Sequence, residues 1–180
     1  NTKYIITGTN LLAFSKSAKS LYFILDFAKN FNIKVIVDVN WREIFWEHSN
    51  IHKDIQYKKV KNFLHYADIL KLASEEAYLF FETNDPNEIS KVLTKKPDVI
   101  ITNGPNPINW YINGLKGSNE VVKNKLKIID TTGAGDAFLA GLISRYYIDT
   151  NLDNHSQIKE SINFASVCGF LTCCGEGAIE

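Results

Sequence analysis

A doubly wound α/β fold, with a mostly parallel sheet and helices on both faces, is what this sequence predicts, and three observations carry the prediction. Short β-branched runs ending in glycine or an acid alternate with helix-period segments, the pattern of βαβ units with right-handed crossovers. A glycine-rich turn stands immediately before the first of two long closing helices. The composition is that of an ordinary globular chain, 180 residues with 45% hydrophobic and 22% charged. Such a chain makes about one domain and can hide roughly 70% of its unfolded surface.

Tyr4-Ile5-Ile6-Thr7-Gly8 reads as a buried strand. Over Ser15 to Lys29, Leu21, Ile24, Leu25 and Ala28 fall at i, i+3, i+4 and i+7, one helix face, with Ser15 or Ser17 available as a cap. Ile33 to Asp38 is the next strand and closes the first βαβ unit. Asp68 to Leu72 is a strand, and Ser74 as N-cap opens a helix in which Glu75 and Glu76 suit the positive end of the dipole. Pro86 starts another helix, and Asp98 to Thr102 is a strand stopped by Asn103-Gly104-Pro105. Asn109 to Ile112 with Asn113-Gly114 predicts a local hairpin, and Asn113 to Asn124 reads as a turn-rich loop. Helices from Ala134 to about Tyr147 and from Ser156 to about Cys173 close the chain. No repeat, linker or low-complexity segment interrupts it.

Twenty Lys and Arg balance twenty Asp and Glu, so no bulk attraction to nucleic acid or to an anionic membrane is expected. No apolar run approaches the ~20 residues that span a bilayer, and no cleavable signal opens the chain. A cytoplasmic location is the expectation, with an organelle left open. Cys168, Cys173 and Cys174 are odd in number and make a poor disulfide framework, so buried thiols in a reducing compartment are expected. His48, His52, His65 and His155 show no ligand spacing. The chain opens on Asn1 and contains no Met, so it reads as a piece of something longer.

Lys127 to Phe138 is the stretch that carries chemistry. Lys127-Ile128-Ile129 predicts a strand that delivers the chain to Gly133 and Gly135, and a helix begins at once. The glycines allow a tight turn and close approach of a ligand, and the first amides of the helix make an anion site suited to phosphate. A carboxylate at Asp136 is out of place beside an anion unless it takes a proton from an attacking hydroxyl. The same residues also fit an ordinary glycine turn in which Asp136 caps the helix.

Asp130-Thr131-Thr132-Gly133-Ala134-Gly135-Asp136-Ala137-Phe138 closely resembles the second signature of the ribokinase-type, or phosphofructokinase B, family of carbohydrate kinases. Three more landmarks stand in that family's order. Asp38-Val39-Asn40-Trp41-Arg42 with Phe45-Trp46 resembles its Asp-x-Asn-x-Arg segment. Asp68 to Glu76 resembles the strand leading to its Asn-x-x-Glu motif. Val99 to Gly104 resembles its strand ending Thr-x-Gly. The closing stretch, Phe164 to Gly169 and on to Gly177-Ala178, is similar in style, so the resemblance spans essentially the whole chain.

The resemblance implies the C-terminal, ATP-binding part of a single ribokinase-like kinase domain over residues 1–180, with the N-terminal half, most sugar-binding residues and the β-sheet lid absent. It implies transfer of the ATP γ-phosphoryl group to a sugar hydroxyl with Mg²⁺. Asp136 would be the base, and Gly133, Ala134 and Gly135 the anion hole. Thr102 and Gly104 would line the nucleotide, and Glu76 would help hold Mg²⁺ through water. Asp130 and Thr132 match positions that bind a monovalent cation such as K⁺ in some members, or else they brace the turn. Arg42 would reach phosphate or pair with Asp38, and Lys71 would be structural. Family members pair through the lid, so a homodimer of the full-length chain is an expectation.

The Trp41-Arg42…Phe45-Trp46 variant looks most like fructokinases, with adenosine and 2-keto-3-deoxygluconate as other substrates. Two positions depart from the pattern. Ala73 stands where Asn-x-x-Glu expects a polar residue, and Pro107 replaces a glycine expected after Thr-x-Gly. They support a second reading, a kinase-fold binding or regulatory protein. A Rossmann-type dehydrogenase is disfavoured because Gly8-Thr9-Asn10 lacks a glycine fingerprint. Standing alone, the piece is expected to expose a cut sheet edge and apolar surface.

Overall fold

A computed structural model describes residues 2–47, 52–122, 126–148 and 152–178. The chain divides into two compact units, residues 1–104 and 105–180.

In the first unit four strands run parallel in sequence order: β1 (Tyr4–Gly8), β2 (Lys34–Asp38), β3 (Ile69–Ala73) and β4 (Asp98–Asn103). Between them come α1 (Ser15–Asn30), the short α2 (Ile44–Glu47), α3 (Lys53–Leu64), α4 (Ser74–Phe81) and α5 (Pro86–Val92). Alternate strand residues Val35, Val37, Leu70, Leu72, Val99 and Ile101 join Leu21 and Leu25 of α1, Val60 and Phe63 of α3, Phe80 of α4 and Ile89 of α5 in one buried core. The other strand positions put Ile36, Ile69 and Ile100 on the opposite face, all buried. Asp38, Lys71, Ala73 and Thr102 are in register on that second face, at the carboxyl ends of their strands. That end is where parallel α/β sheets offer ligand crevices.

The expected helix caps are not the ones used. Phe14 is the N-cap of α1 and makes no side-chain bond. Ser15 is already helical, and Ser17 Oγ donates to the Leu11 and Phe14 carbonyls instead. Ser74 is likewise the first residue of α4, behind Ala73 as N-cap, and its hydroxyl donates to Asn103 Oδ1 at 3.1 Å. Asp85 does cap α5, accepting from the Asn87 and Glu88 amides. Ile24, expected on the buried face of α1, is 42% exposed.

The second unit contains an antiparallel hairpin, β5 (Asn106–Ile112) and β6 (Leu115–Asn119), then α6 (Ala134–Ile148) and α7 (His155–Thr172). Asn113 and Gly114, at φ 48° and 79°, make the tight turn that their identities predicted. The stretch after it is not all loop: Leu115–Asn119 is a strand, and Lys123 and Asn124 lie outside the described residues. Asn119 fastens the strand by accepting from Trp110 Nε1 and donating to the Lys159 carbonyl and Asn163 Oδ1. Among the described residues no helix is long and apolar enough to cross a membrane.

Candidate active site

The residues singled out from the sequence fall into two groups, one in each unit. In the second unit the group is the start of α6. Gly133 is the residue before the helix, at φ 79°, and its carbonyl accepts from the Ala137 amide at 2.9 Å. The Ala134 amide donates to the Thr131 carbonyl at 3.2 Å. Amides in the first turn of a helix have no intrahelical acceptor, which leaves those of Gly135 and Asp136 open at the positive end of the dipole. Asp136 is exposed, and its carboxylate bonds to no other described residue. It therefore does not cap α6.

Asp130 braces this turn. Its Oδ1 accepts from the Thr132 amide at 2.9 Å and the Thr132 hydroxyl at 2.8 Å, and its Oδ2 accepts from the Gly177 amide at 3.1 Å. The Thr132 bonds, and then Gly177, hold the Asp130 carboxyl below the usual carboxylate range. The left-handed glycine also makes room: a Cβ on Gly133 would lie 2.8 Å from Ala178 Cβ. The strand expected over Lys127 to Ile129 does not form. Ile128 and Ile129 are 55% and 53% exposed. The Ile129 and Asp130 amides donate to a single carbonyl, that of Cys173 at the end of α7, rather than to a neighbouring strand.

In the first unit the group surrounds the ends of β2 and β3. Lys71 Nζ lies 3.1 Å from each oxygen of Asp38, with both side chains 8% exposed. Asp38 thus pairs with Lys71, whereas Arg42 is exposed with no side-chain partner among the described residues. Glu76, third residue of α4, reaches back to two main-chain amides, Trp41 at 2.6 Å and Ala73 at 2.8 Å. Burial raises its carboxyl above the ordinary range and the Asp38 charge adds to this, opposed by the two amides and Lys71. Only half of a capping box is made, because Ala73 has no side-chain acceptor to offer in return. Thr102 pairs with Ala73, two register positions beyond Lys71 on the same face, and Gly104 lies past the end of β4 at φ 51° with open space around it.

Among the described residues no group of three or more His, Cys, Asp or Glu could cage a metal. The Glu76 carboxylate is an oxygen donor of the kind that a hard, water-keeping ion such as Mg²⁺ takes singly beside phosphate oxygens. His52 faces Asp54, His65 bonds Thr94 and His155 lies against Trp110, while His48 is outside the described residues. Trp41 is packed rather than presented, stacked on Trp46 at 5.1 Å and edge-on to Tyr57 and Phe80. Sequence reasoning did not foresee the Asp38–Lys71 pair or the Gly177 amide on Asp130. The register of β2 with β3 is the signal for the first, and nothing local marks the second.

A family model described as pfkB family carbohydrate kinase matches residues 3–180. The chain is 34% identical over 128 residues to a probable fructokinase-7 of Arabidopsis thaliana, covering 68% of this chain and 37% of that protein. It superposes with a TM-score of 0.81 and 26% identity on a fructokinase from Vibrio cholerae crystallised with fructose, ADP and a calcium ion, covering 99% of this chain and 56% of that one. A double mutant of the same fructokinase, with fructose, ADP and a potassium ion, gives 0.81 and 25% over the same shares. The chain thus spans about half the length of these proteins or less. The fold is the α/β fold of those fructokinase structures.

Proposed function

Since the chain belongs to the pfkB family of carbohydrate kinases, we propose that the protein phosphorylates a sugar hydroxyl with ATP, fructose being the preferred substrate. The observation that carries this reading is the start of α6. There, open amides at Gly135 and Asp136 adjoin an exposed carboxylate on the same turn that bonds to no other described residue.

In this reading the amides of the Gly133–Gly135 turn donate to oxygens of the transferring phosphoryl group. They are fixed before reaction, so no reorganisation is needed as charge develops. Asp136 accepts the proton of the attacking hydroxyl, and its exposure leaves it within reach of a substrate. Asp130 holds the turn in shape through Thr132 and Gly177. Thr102 and Gly104 line the nucleotide at the strand ends. When bound, Mg²⁺ neutralises phosphate charge, and Glu76 is the carboxylate that would meet its waters. A monovalent cation beside the turn would be held by Asp130 and Thr132. The fructokinases with bound fructose and ADP support the choice of substrates, as does the resemblance of the Trp41-Arg42…Phe45-Trp46 segment to fructokinases. All 180 residues belong, in this proposal, to one kinase domain, whose full-length form pairs as a homodimer.

The test is a coupled ADP-release assay on the full-length chain with fructose, glucose, ribose, adenosine and 2-keto-3-deoxygluconate. ADP release on fructose is expected, and Asp136→Asn should lower kcat by about 10²–10⁴-fold, the range of general-base catalysis. Binding of Mg²⁺-ATP without turnover on any acceptor would instead favour the binding or regulatory role that Ala73 and Pro107 support.

A further inference from the structure

Both oxygens of Glu76 are taken by main-chain amides, and the two amides come from different strand ends. Trp41 belongs to the turn leaving β2, and Ala73 is the last residue of β3. The last main-chain bond between these strands runs from the Val39 amide to the Lys71 carbonyl at 3.0 Å. Beyond it the Val39 carbonyl accepts from the Thr9 amide and hydroxyl, and the Trp41 amide donates to Glu76.

The turn leaves β2 through Asn40 at φ 40°, in the left-handed region, which asparagine adopts more readily than other residues with a side chain. Glu76 and Phe80 are four residues apart on α4 and so share a face. Phe80 meets the Trp41 ring edge-on at 5.6 Å. One helix therefore grips Trp41 twice, by its amide and by its ring. The next residue is Arg42, the exposed cation of the turn, at the strand ends where an anionic ligand of this fold would lie.

We infer that Glu76 is a positioning residue: its carboxylate clamps the Trp41 and Ala73 amides and thereby fixes the 39–43 turn, and Arg42 with it, at the carboxyl ends of β2 and β3. This goes beyond a charge facing metal-bound water. It rests on the kinase reading only in its kinetic arm.

The distinction between clamp and charge is made by Glu76→Asp and Glu76→Gln in the full-length chain. Asp keeps the negative charge but is one methylene too short to span both amides. Gln keeps the length but offers a single acceptor oxygen. In protein free of Mg²⁺ and nucleotide, amide hydrogen exchange at Trp41 should quicken about tenfold or more in both variants, the scale of losing a bond to a charged acceptor. Exchange at Val37 and Leu70 should not change. At saturating Mg²⁺ both variants should lose kcat to a similar extent. Phe80→Leu leaves the carboxylate in place and serves if neither Glu76 variant folds. It should lower kcat with the Mg²⁺ midpoint unmoved.

Unchanged exchange at Trp41 would overturn the clamp. So would wild-type kcat in Glu76→Asp at saturating Mg²⁺ with loss in Glu76→Gln, which would assign the effect to charge. Faster exchange with unaltered kcat in both variants would reduce Glu76 to a structural tie and overturn the positioning role. A wild-type chain that releases no ADP would remove the kinase reading, while the exchange result decides the clamp by itself.

Discussion

Ala73 leaves the first turn of α4 without a side-chain acceptor at its N-cap, although its backbone, at φ −79° and ψ 159°, already has the extended conformation an N-cap needs. A hydroxyl there would accept from the Glu76 amide and complete the half-made box. Ala73→Ser is expected to stabilise the protein by about 1 kcal/mol, read as a rise of roughly 2–4 °C in Tm. No rise would mean that the open amides of α4 are already satisfied by water. Asp130 gives a second prediction at this scale. The Thr132 amide and hydroxyl hold its carboxyl below the value of 3.8 expected unperturbed, so the folded chain binds that proton less tightly than the unfolded one. Its contribution is therefore present above that value and is lost as pH falls through the folded pKa. Thermal melts of wild type and Asp130→Asn should differ at pH 6 and converge as the pH falls below 3.8 and through the folded pKa.

Elements were legible where their own composition decides them. β1, β2 and β4 are β-branched runs, β3 is a short apolar run interrupted only by Lys71, and Pro86, Asn113 and Gly114 act as local punctuation whatever surrounds them. Elements decided by a partner were not. Leu115–Asn119 contains Lys, Gly, Ser and Asn, and it is a strand because β5 supplies the ladder and because Gly117 makes way for the Trp110 ring, which a Cβ would overlap. Ile128 and Ile129 have strand composition, yet what they find is a single helix-end carbonyl. The glycine turn was read correctly as a turn, but its brace at Gly177 is 47 residues from Asp130 and has no local signal. The pairing of α6 with α7 depends on small residues in the same hidden way. A Cβ on Gly169 would lie 2.8 Å from the Ala134 carbonyl oxygen, and one on Gly141 would lie 2.9 Å from Cys168 Sγ. A backbone carbonyl cannot rotate away, so Gly169→Ala must push the first turn of α6 off α7. The expected cost is about 1–3 kcal/mol by denaturant melt. Because Ala134 lies in the proposed anion hole, kcat should fall together with stability. A stable variant with full activity would show that this helix contact does not set the turn.

The first unit carries more apolar surface than a lone chain of this size comfortably shows. Phe23 and Phe27 of α1 and its C-cap Phe31 are 74%, 47% and 64% exposed, and the rings of Phe27 and Phe31 stack on each other at 4.2 Å. Ile6 of β1 and Phe14 are 56% and 54% exposed. Among the described residues of the unit β1 pairs with β2 alone, so it is an edge strand there. Scattered apolar side chains on a surface are normal, but a phenylalanine ridge beside an open parallel edge is a template for association. The chain of 180 residues is therefore expected to self-associate at micromolar concentration. Phe23→Glu with Phe27→Lys, an i, i+4 pair of opposite charge on α1, should shift sedimentation velocity profiles towards monomer without lowering Tm. In a chain of the relatives' full length, further strands and helices are available to cover the same face, and there the double substitution should destabilise rather than solubilise. Opposite signs in the two chains would mark this face as interior to the whole kinase fold. Monomeric wild-type chain at every concentration would show that the ridge is ordinary surface.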